Sequence, residues 1–172
     1  MPDVNTSIGP INIKRAGIQD EETVLGIMRD AAKWLQEKGI PQWEGVLTEK
    51  GRDLVHQRIE AGLAYVAAFN GENIGTVSIQ WTDQYAWDGK GLDGSAGYIH
   101  GLAVLRRFAG KKVGLDILKW AMETIRAEKP KVRLDCMGDN PRLCRYYEGL
   151  GFSLVGQKSF PNGWKANLYE KG

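Results

Sequence analysis

The sequence predicts a mixed α/β fold, and three observations carry that prediction. Apolar residues recur at helical spacing in long segments, short apolar runs bounded by turn residues read as strands, and the two kinds of segment interleave along the chain. Residues 1–10 carry Pro2, Gly9 and Pro10 and read as a flexible tail, so residues 11–172 are expected to form a single domain. A short strand follows from Ile11 to Arg15. Asp20 can cap a helix whose apolar residues Leu25, Met28, Ala32 and Leu35 share one face, and Gly39 with Pro41 ends it. Thr48 to Ala61 is expected as a second helix. Leu63–Phe69 and Ile74–Trp81 flank Asn70-Gly71, a pair that supplies the left-handed backbone of a tight hairpin turn. Residues 82–95, rich in Gly and Asp, read as a long mobile loop. Beyond it come a strand over Tyr98–Val104, the clearest helix over Lys111–Glu128, a strand over Val132–Cys136, and a helix opened by Asn140-Pro141 and closed at Gly149 to Gly151. Two strands, around Phe152–Val155 and Trp164–Tyr169, complete the order β-α-α-β-β-β-α-β-α-β-β.

Composition narrows the function. A chain of 172 residues with 42% hydrophobic content fills one core rather than two, and 23 basic against 21 acidic residues leave a net charge of only +2. That balance argues against a broad nucleic-acid-binding face. The start of the chain lacks the basic and then apolar sections of a signal peptide, and no apolar run reaches membrane-spanning length. Cys136 and Cys144 are close in sequence without a metal-type spacing and are expected to be reduced, buried thiols. No nucleic acid, no membrane and a cytoplasmic setting are therefore expected.

The strongest local signal is a strand, then Arg106-Arg107-Phe108-Ala109-Gly110-Lys111-Lys112-Val113-Gly114, then a long helix. Such a turn aims unpaired backbone N–H groups and the positive end of the helix outward, which suits a phosphate-bearing ligand. Around it stand Leu102-Ala103-Val104 before the turn, Asp135 at the end of the next strand, Asn140 at the following helix start, and Tyr146-Tyr147-Glu148-Gly149-Leu150-Gly151-Phe152. Together these residues resemble the GNAT superfamily of N-acetyltransferases, specifically from about Tyr98 to Val155.

The resemblance implies a central mixed, mostly antiparallel twisted sheet of about six to seven strands flanked by about four helices. It implies an enzyme that transfers the acetyl group of acetyl-CoA to an amine by direct attack in a ternary complex, with no metal. Leu102, Ala103 and Val104 would then offer backbone groups to the pantetheine arm and thioester, and Ala109, Gly110, Lys111, Lys112, Val113 and Gly114 would hold the pyrophosphate. The usual loop has Arg or Gln where Ala109 stands and Gly where Lys112 stands, and both departures bear on the cofactor site. Asn140 matches a cofactor-contacting asparagine and equally suits an N-cap. Tyr147 matches the tyrosine that protonates the departing thiolate, a role a phenol fills directly or by hydrogen bond.

The attacking amine must also lose a proton. Asp135 holds a position where some relatives carry a glutamate base, and His100, two residues before Leu102, is the rival on the same strand face. Sequence alone leaves the two level. The resemblance implies that the acceptor, whether a small amine, a peptide N-terminus or a lysine, is chosen by variable loops. It also implies that Trp43, Tyr85 and Trp87 fall in segments bordering the acceptor cleft, the alternative being that these rings cover loops over the core; the family's members include homodimers. The competing reading from another class is a non-catalytic acyl-CoA binding or sensing module in which Ala109 and Lys112 mark a decayed loop.

Overall fold

The computed structural model describes residues 3–172 and holds eight strands, one more than the upper expected number. The additional strand lies in the expected tail. Val4–Thr6 (β1) pairs antiparallel with Gly9–Arg15 (β2), Val4 opposite Ile11, and the Thr6 hydroxyl closes the turn by donating to the Gly9 carbonyl at 2.6 Å. Hydrogen bonding of this hairpin is what the polar composition concealed; residues 1 and 2 of the expected tail lie outside the described residues.

The remaining elements follow the predicted order with one insertion. They are α1 (Glu21–Glu37), α2 (Glu49–Glu60), β3 (Ala64–Phe69), β4 (Glu72–Gln80), α3 (Gln84–Trp87), β5 (Ala96–Val104), α4 (Val113–Arg126), β6 (Lys131–Met137), α5 (Pro141–Gly149), β7 (Ser153–Ser159) and β8 (Lys165–Lys171). The sheet order is β1-β2-β3-β4-β5-β6-β8-β7. β5 and β6 are parallel, whereas β2–β3, β3–β4, β6–β8 and β7–β8 are antiparallel. Asn70 and Gly71 both take positive φ, and Phe69 pairs with Glu72 across them as a two-residue hairpin requires. Asp20 stands at the α1 N-cap, but its carboxylate turns back to accept the Gly17 N–H at 2.9 Å.

The expected mobile loop is an ordered segment. Asp83 caps the four-residue α3, its Oδ1 accepting the Ala86 N–H at 3.0 Å, and a 3-10 turn over Asp88–Leu92 follows directly. Gly91 closes the segment: a Cβ there would sit 2.0 Å from the Asp83 carbonyl oxygen, so only glycine permits this approach.

The chain groups into two compact units. One runs to Ser78 and resumes over Gly101–Ala121, with a core in which Val24, Leu25, Met28 and Ala32 of α1 meet Val55 and Ile59 of α2 and Val66 of β3. The other comprises Ile79–His100 and Met122–Gly172, and there Ala86, Trp87, Ala96 and Tyr98 pack together. Among the described residues no helix is long and apolar enough to cross a membrane.

Candidate active site

Strand register explains how two of the expected residues meet. β5 and β6 run parallel with Tyr98 opposite Arg133, and side chains two residues apart share a strand face, so His100 and Asp135 follow on that same face. His100 Nδ1 lies 3.8 Å from Asp135 Oδ1. A residue unforeseen from sequence completes the group: Asp83 Oδ2 lies 2.9 Å from His100 Nε2. The three side chains retain 5% (Asp83), 19% (His100) and 16% (Asp135) of their exposure, so each carboxylate is half or more withdrawn from water and the imidazole remains reachable.

Asp83, His100 and Asp135 can each bring one ligand atom within 4.8 Å of the others, the grouping among the described residues with the composition of a metal site. The imidazole, however, turns opposite nitrogens to the two carboxylates, which suits a proton relay better than a shared cation.

Tyr147 sits on α5 in the same unit, half-buried, its ring 6.0 Å from Phe152, 6.2 Å from Tyr169 and 5.3 Å from Tyr146. Burial, with the nearby Cys136, Tyr146 and Asp135, pushes its phenol well above the ordinary tyrosine range. It therefore stays protonated at neutral pH. Tyr146 is 41% exposed and meets Tyr147 edge-on. Asn140 performs the N-cap role, its side-chain oxygen accepting the Leu143 N–H at 3.2 Å. Cys136 and Cys144 are both buried free thiols with sulfurs 3.7 Å apart, and burial first, then Cys144, pushes the Cys136 thiol far up. Such a thiol is a poor nucleophile.

The glycine-lysine turn belongs to the other unit. Leu102, Ala103 and Val104 end β5, and the chain then passes through a 3-10 turn over Arg106–Phe108. Asp30 accepts the Arg106 N–H at 2.7 Å while the Arg106 guanidinium lies 3.8 Å over the Trp34 ring, which ties the turn to α1. Ser7 donates to the Lys111 carbonyl, so the hairpin missed in the sequence braces the turn from its other side. Gly110 and Lys112 have φ of 76° and 60°. Lys112 thus adopts the conformation for which glycine is suited, and α4 begins only after it, at Val113 rather than at the expected Lys111. The Lys112 carbonyl already accepts the Asp116 N–H at 3.0 Å, leaving the first-turn N–H groups to face outward. A left-handed non-glycine residue costs about 1–2 kcal/mol. Lys112→Gly is expected to raise the midpoint of chemical denaturation by about 1 kcal/mol equivalent, and an unchanged or lowered midpoint would show that the lysine is not strained there.

The aromatic residues assigned to an acceptor cleft divide. Trp87 is buried, its ring 5.9 Å from Tyr98 with the Arg133 guanidinium 4.9 Å above it, so it is a core residue. Trp43 is partly buried against the core formed by α1 and α2. Tyr85 is 77% exposed and stands 5.0 Å from Phe160, itself 5.2 Å from Trp164. Arg133 is fully buried, bonded to Asp93, Glu170, the Tyr98 hydroxyl and the Lys90 carbonyl. Asp83 could have been suspected from its place three residues before Ala86, the spacing of an N-cap.

The fold is a mixed α/β scaffold, and comparison with known proteins gives its family. The acetyltransferase (GNAT) family model matches residues 27–152. The uncharacterised N-acetyltransferase YesJ of Bacillus subtilis (strain 168) is 35% identical over 161 residues, covering 89% of this chain and 85% of that protein. Among solved structures, a GNAT family acetyltransferase from Listeria monocytogenes 4b F2365 is 28% identical with a TM-score of 0.82, covering 99% of both chains. The PaiA N-acetyltransferase of Thermoplasma acidophilum, solved in complex with coenzyme A, has a TM-score of 0.64 at 19% identity, covering 94% of this chain and 98% of that one. The chain belongs to the acetyltransferase (GNAT) family.

Proposed function

We propose that the protein transfers the acetyl group of acetyl-CoA to the nitrogen of an amine by direct attack. The observation that carries this reading is that one unit holds both a proton acceptor and a proton donor: His100 with Asp83 and Asp135, and the Tyr147 phenol that burial keeps protonated. Amine acylation needs both. The ammonium must shed a proton before its lone pair attacks the thioester carbonyl, and the C–S bond breaks more readily when the sulfur is given one.

The other parts are assigned by chemistry. Backbone groups of Leu102, Ala103 and Val104 stabilise the charge that grows on the carbonyl oxygen. The turn over Ala109, Gly110, Lys111, Lys112, Val113 and Gly114 takes the pyrophosphate on its N–H groups and lysines, and Asn140 contributes to cofactor contacts beside its capping role. His100 or Asp135 removes the amine proton, and Tyr147 protonates the CoA thiolate. The family supports acetyl-CoA as co-substrate, as does the coenzyme A bound by the Thermoplasma acidophilum protein.

Calorimetry at low ionic strength tests the cofactor, and free-thiol release with a panel of amines tests the reaction. CoA is expected to bind, more weakly as salt rises because lysines meet phosphates, and thiol release is expected to depend on the amine. No CoA binding at low salt would overturn the reading; binding without amine-dependent thiol release would leave only a CoA-binding module.

A further inference from the structure

We infer that Asp83 is a positioning residue that makes His100, rather than Asp135, the base of the reaction. The inference rests on the proposed acetyl transfer but on a separate observation, the division of labour between the two oxygens of one carboxylate. Asp83 Oδ1 is held by the Ala86 N–H at 3.0 Å, and Asp83 Oδ2 meets His100 Nε2 at 2.9 Å. The Asp83 N–H donates to the Gly91 carbonyl at 3.1 Å, and the missing side chain of Gly91 lets the Asp83 carbonyl pack within a distance no Cβ would tolerate. Backbone and side chain are therefore both fixed, with the side chain 5% exposed.

A carboxylate so fixed accepts hydrogen bonds and donates none. The neutral imidazole facing it must carry its hydrogen on Nε2, which leaves the Nδ1 lone pair as the acceptor. Nδ1 points towards Asp135 at 3.8 Å, too far for a direct hydrogen bond and near enough for attraction once the ring is charged. An ammonium arriving beside Nδ1 passes one proton to it, and the freed lone pair forms the new C–N bond. The C–S bond then breaks with Tyr147 protonating the departing CoA sulfur, and the second N–H proton lost from the acylated nitrogen makes good the proton Tyr147 gave. The imidazolium stands between two carboxylates until it returns its own proton to solvent. Asp135, 3.8 Å from Nδ1, attracts the cationic amine and stabilises the imidazolium.

The test joins a spectroscopic and a kinetic measurement on the full chain. Long-range proton–nitrogen NMR of the ¹⁵N-labelled protein, recorded above the His100 titration, is expected to show the ring hydrogen on Nε2, and in Asp83→Asn a loss of that single tautomer. This readout needs no substrate, so it stands even if acetyl transfer fails. With an amine that the wild type acetylates, Asp83→Asn is expected to lower kcat about 10²-fold with little change in CoA affinity. Asparagine can still cap α3, and circular dichroism checks that it does. His100→Gln is expected to lose as much or more, and the double variant no more than His100→Gln alone, because Asp83 acts only through the ring. An Nδ1–H tautomer in the wild type, a wild-type kcat in Asp83→Asn, or losses that multiply in the double variant would each overturn the inference.

Discussion

Tyr147→Phe is expected to lower kcat by about 10²–10⁴-fold with a true acceptor while CoA affinity and stability stay close to wild type. Phenylalanine keeps the ring that packs on Phe152 and Tyr169 and removes only the hydroxyl, so the folded unit should hold. A CoA-type thiol ionises near pH 8.5 by analogy with cysteine, and burial holds the Tyr147 phenol well above its usual range. The phenol is thus in its acid form throughout neutral pH, and if it is the donor its contribution to any alkaline fall in rate is displaced upward relative to an ordinary phenol. That contribution should vanish from the pH–rate profile of the variant. Single-turnover rates across pH are the measurement, and a variant that turns over as the wild type does would assign thiolate protonation to water or another group.

The largest stability effect is expected at Arg133. Arg133→Met should destabilise the protein by about 3–5 kcal/mol, because removing one partner of a buried ion pair strands the others. The guanidinium is fully buried and meets Asp93 through two nitrogens at 2.9 and 3.2 Å and Glu170 at 2.8 Å. The loss should fall toward the lower end because Asp93 keeps 35% of its side-chain exposure and regains water easily. Arg133→Lys should recover little, since an ammonium cannot reproduce the two-pronged contact. The Asp93 carboxyl is held well below its usual range, chiefly by Arg133 and then by Ser95. Burial pushes the Glu170 carboxyl up, but Arg133 and Lys131 outweigh it and the net shift is downward. Carboxyls depressed on folding stabilise the fold above their unfolded pKa, about 4, and the contribution fades as pH falls through the lower folded values. Urea titrations at neutral and acid pH measure both effects: the gap between wild type and Arg133→Met should narrow in acid.

Much of the fold could be read before any coordinates, because local chemistry determines it. Asn70-Gly71 allows a tight hairpin turn, the rows of Val113, Ile117 and Ala121 fit one helix face, and Asn140-Pro141 starts a helix by capping and by φ. β1 escaped because Val4, Asn5 and Thr6 are too few to show a period, and their pairing rests on hydrogen bonds to β2. α3 escaped because four residues are too few to show one. The candidate site divides in the same way. His100 and Asp135 could be named singly from residue type, but their meeting depends on a parallel register between strands separated by a whole helix. Asp83 belongs to a segment that Arg133, 50 residues on by their numbers, holds at Lys90 and Asp93, and the N-cap spacing of Asp83 does not announce that long-range contact.

The left-handed backbone at Lys112 bears on how kinship is recognised. A fingerprint written as letters discards a chain that places lysine where glycine is customary, although Lys112 takes a dihedral angle that glycine adopts freely. The penalty, about 1–2 kcal/mol, is small enough for drift to absorb through a well-packed neighbour elsewhere. Relatives of this chain should therefore include members with bulkier residues at that spot, and among them the angle, not the amino acid, is the inherited character.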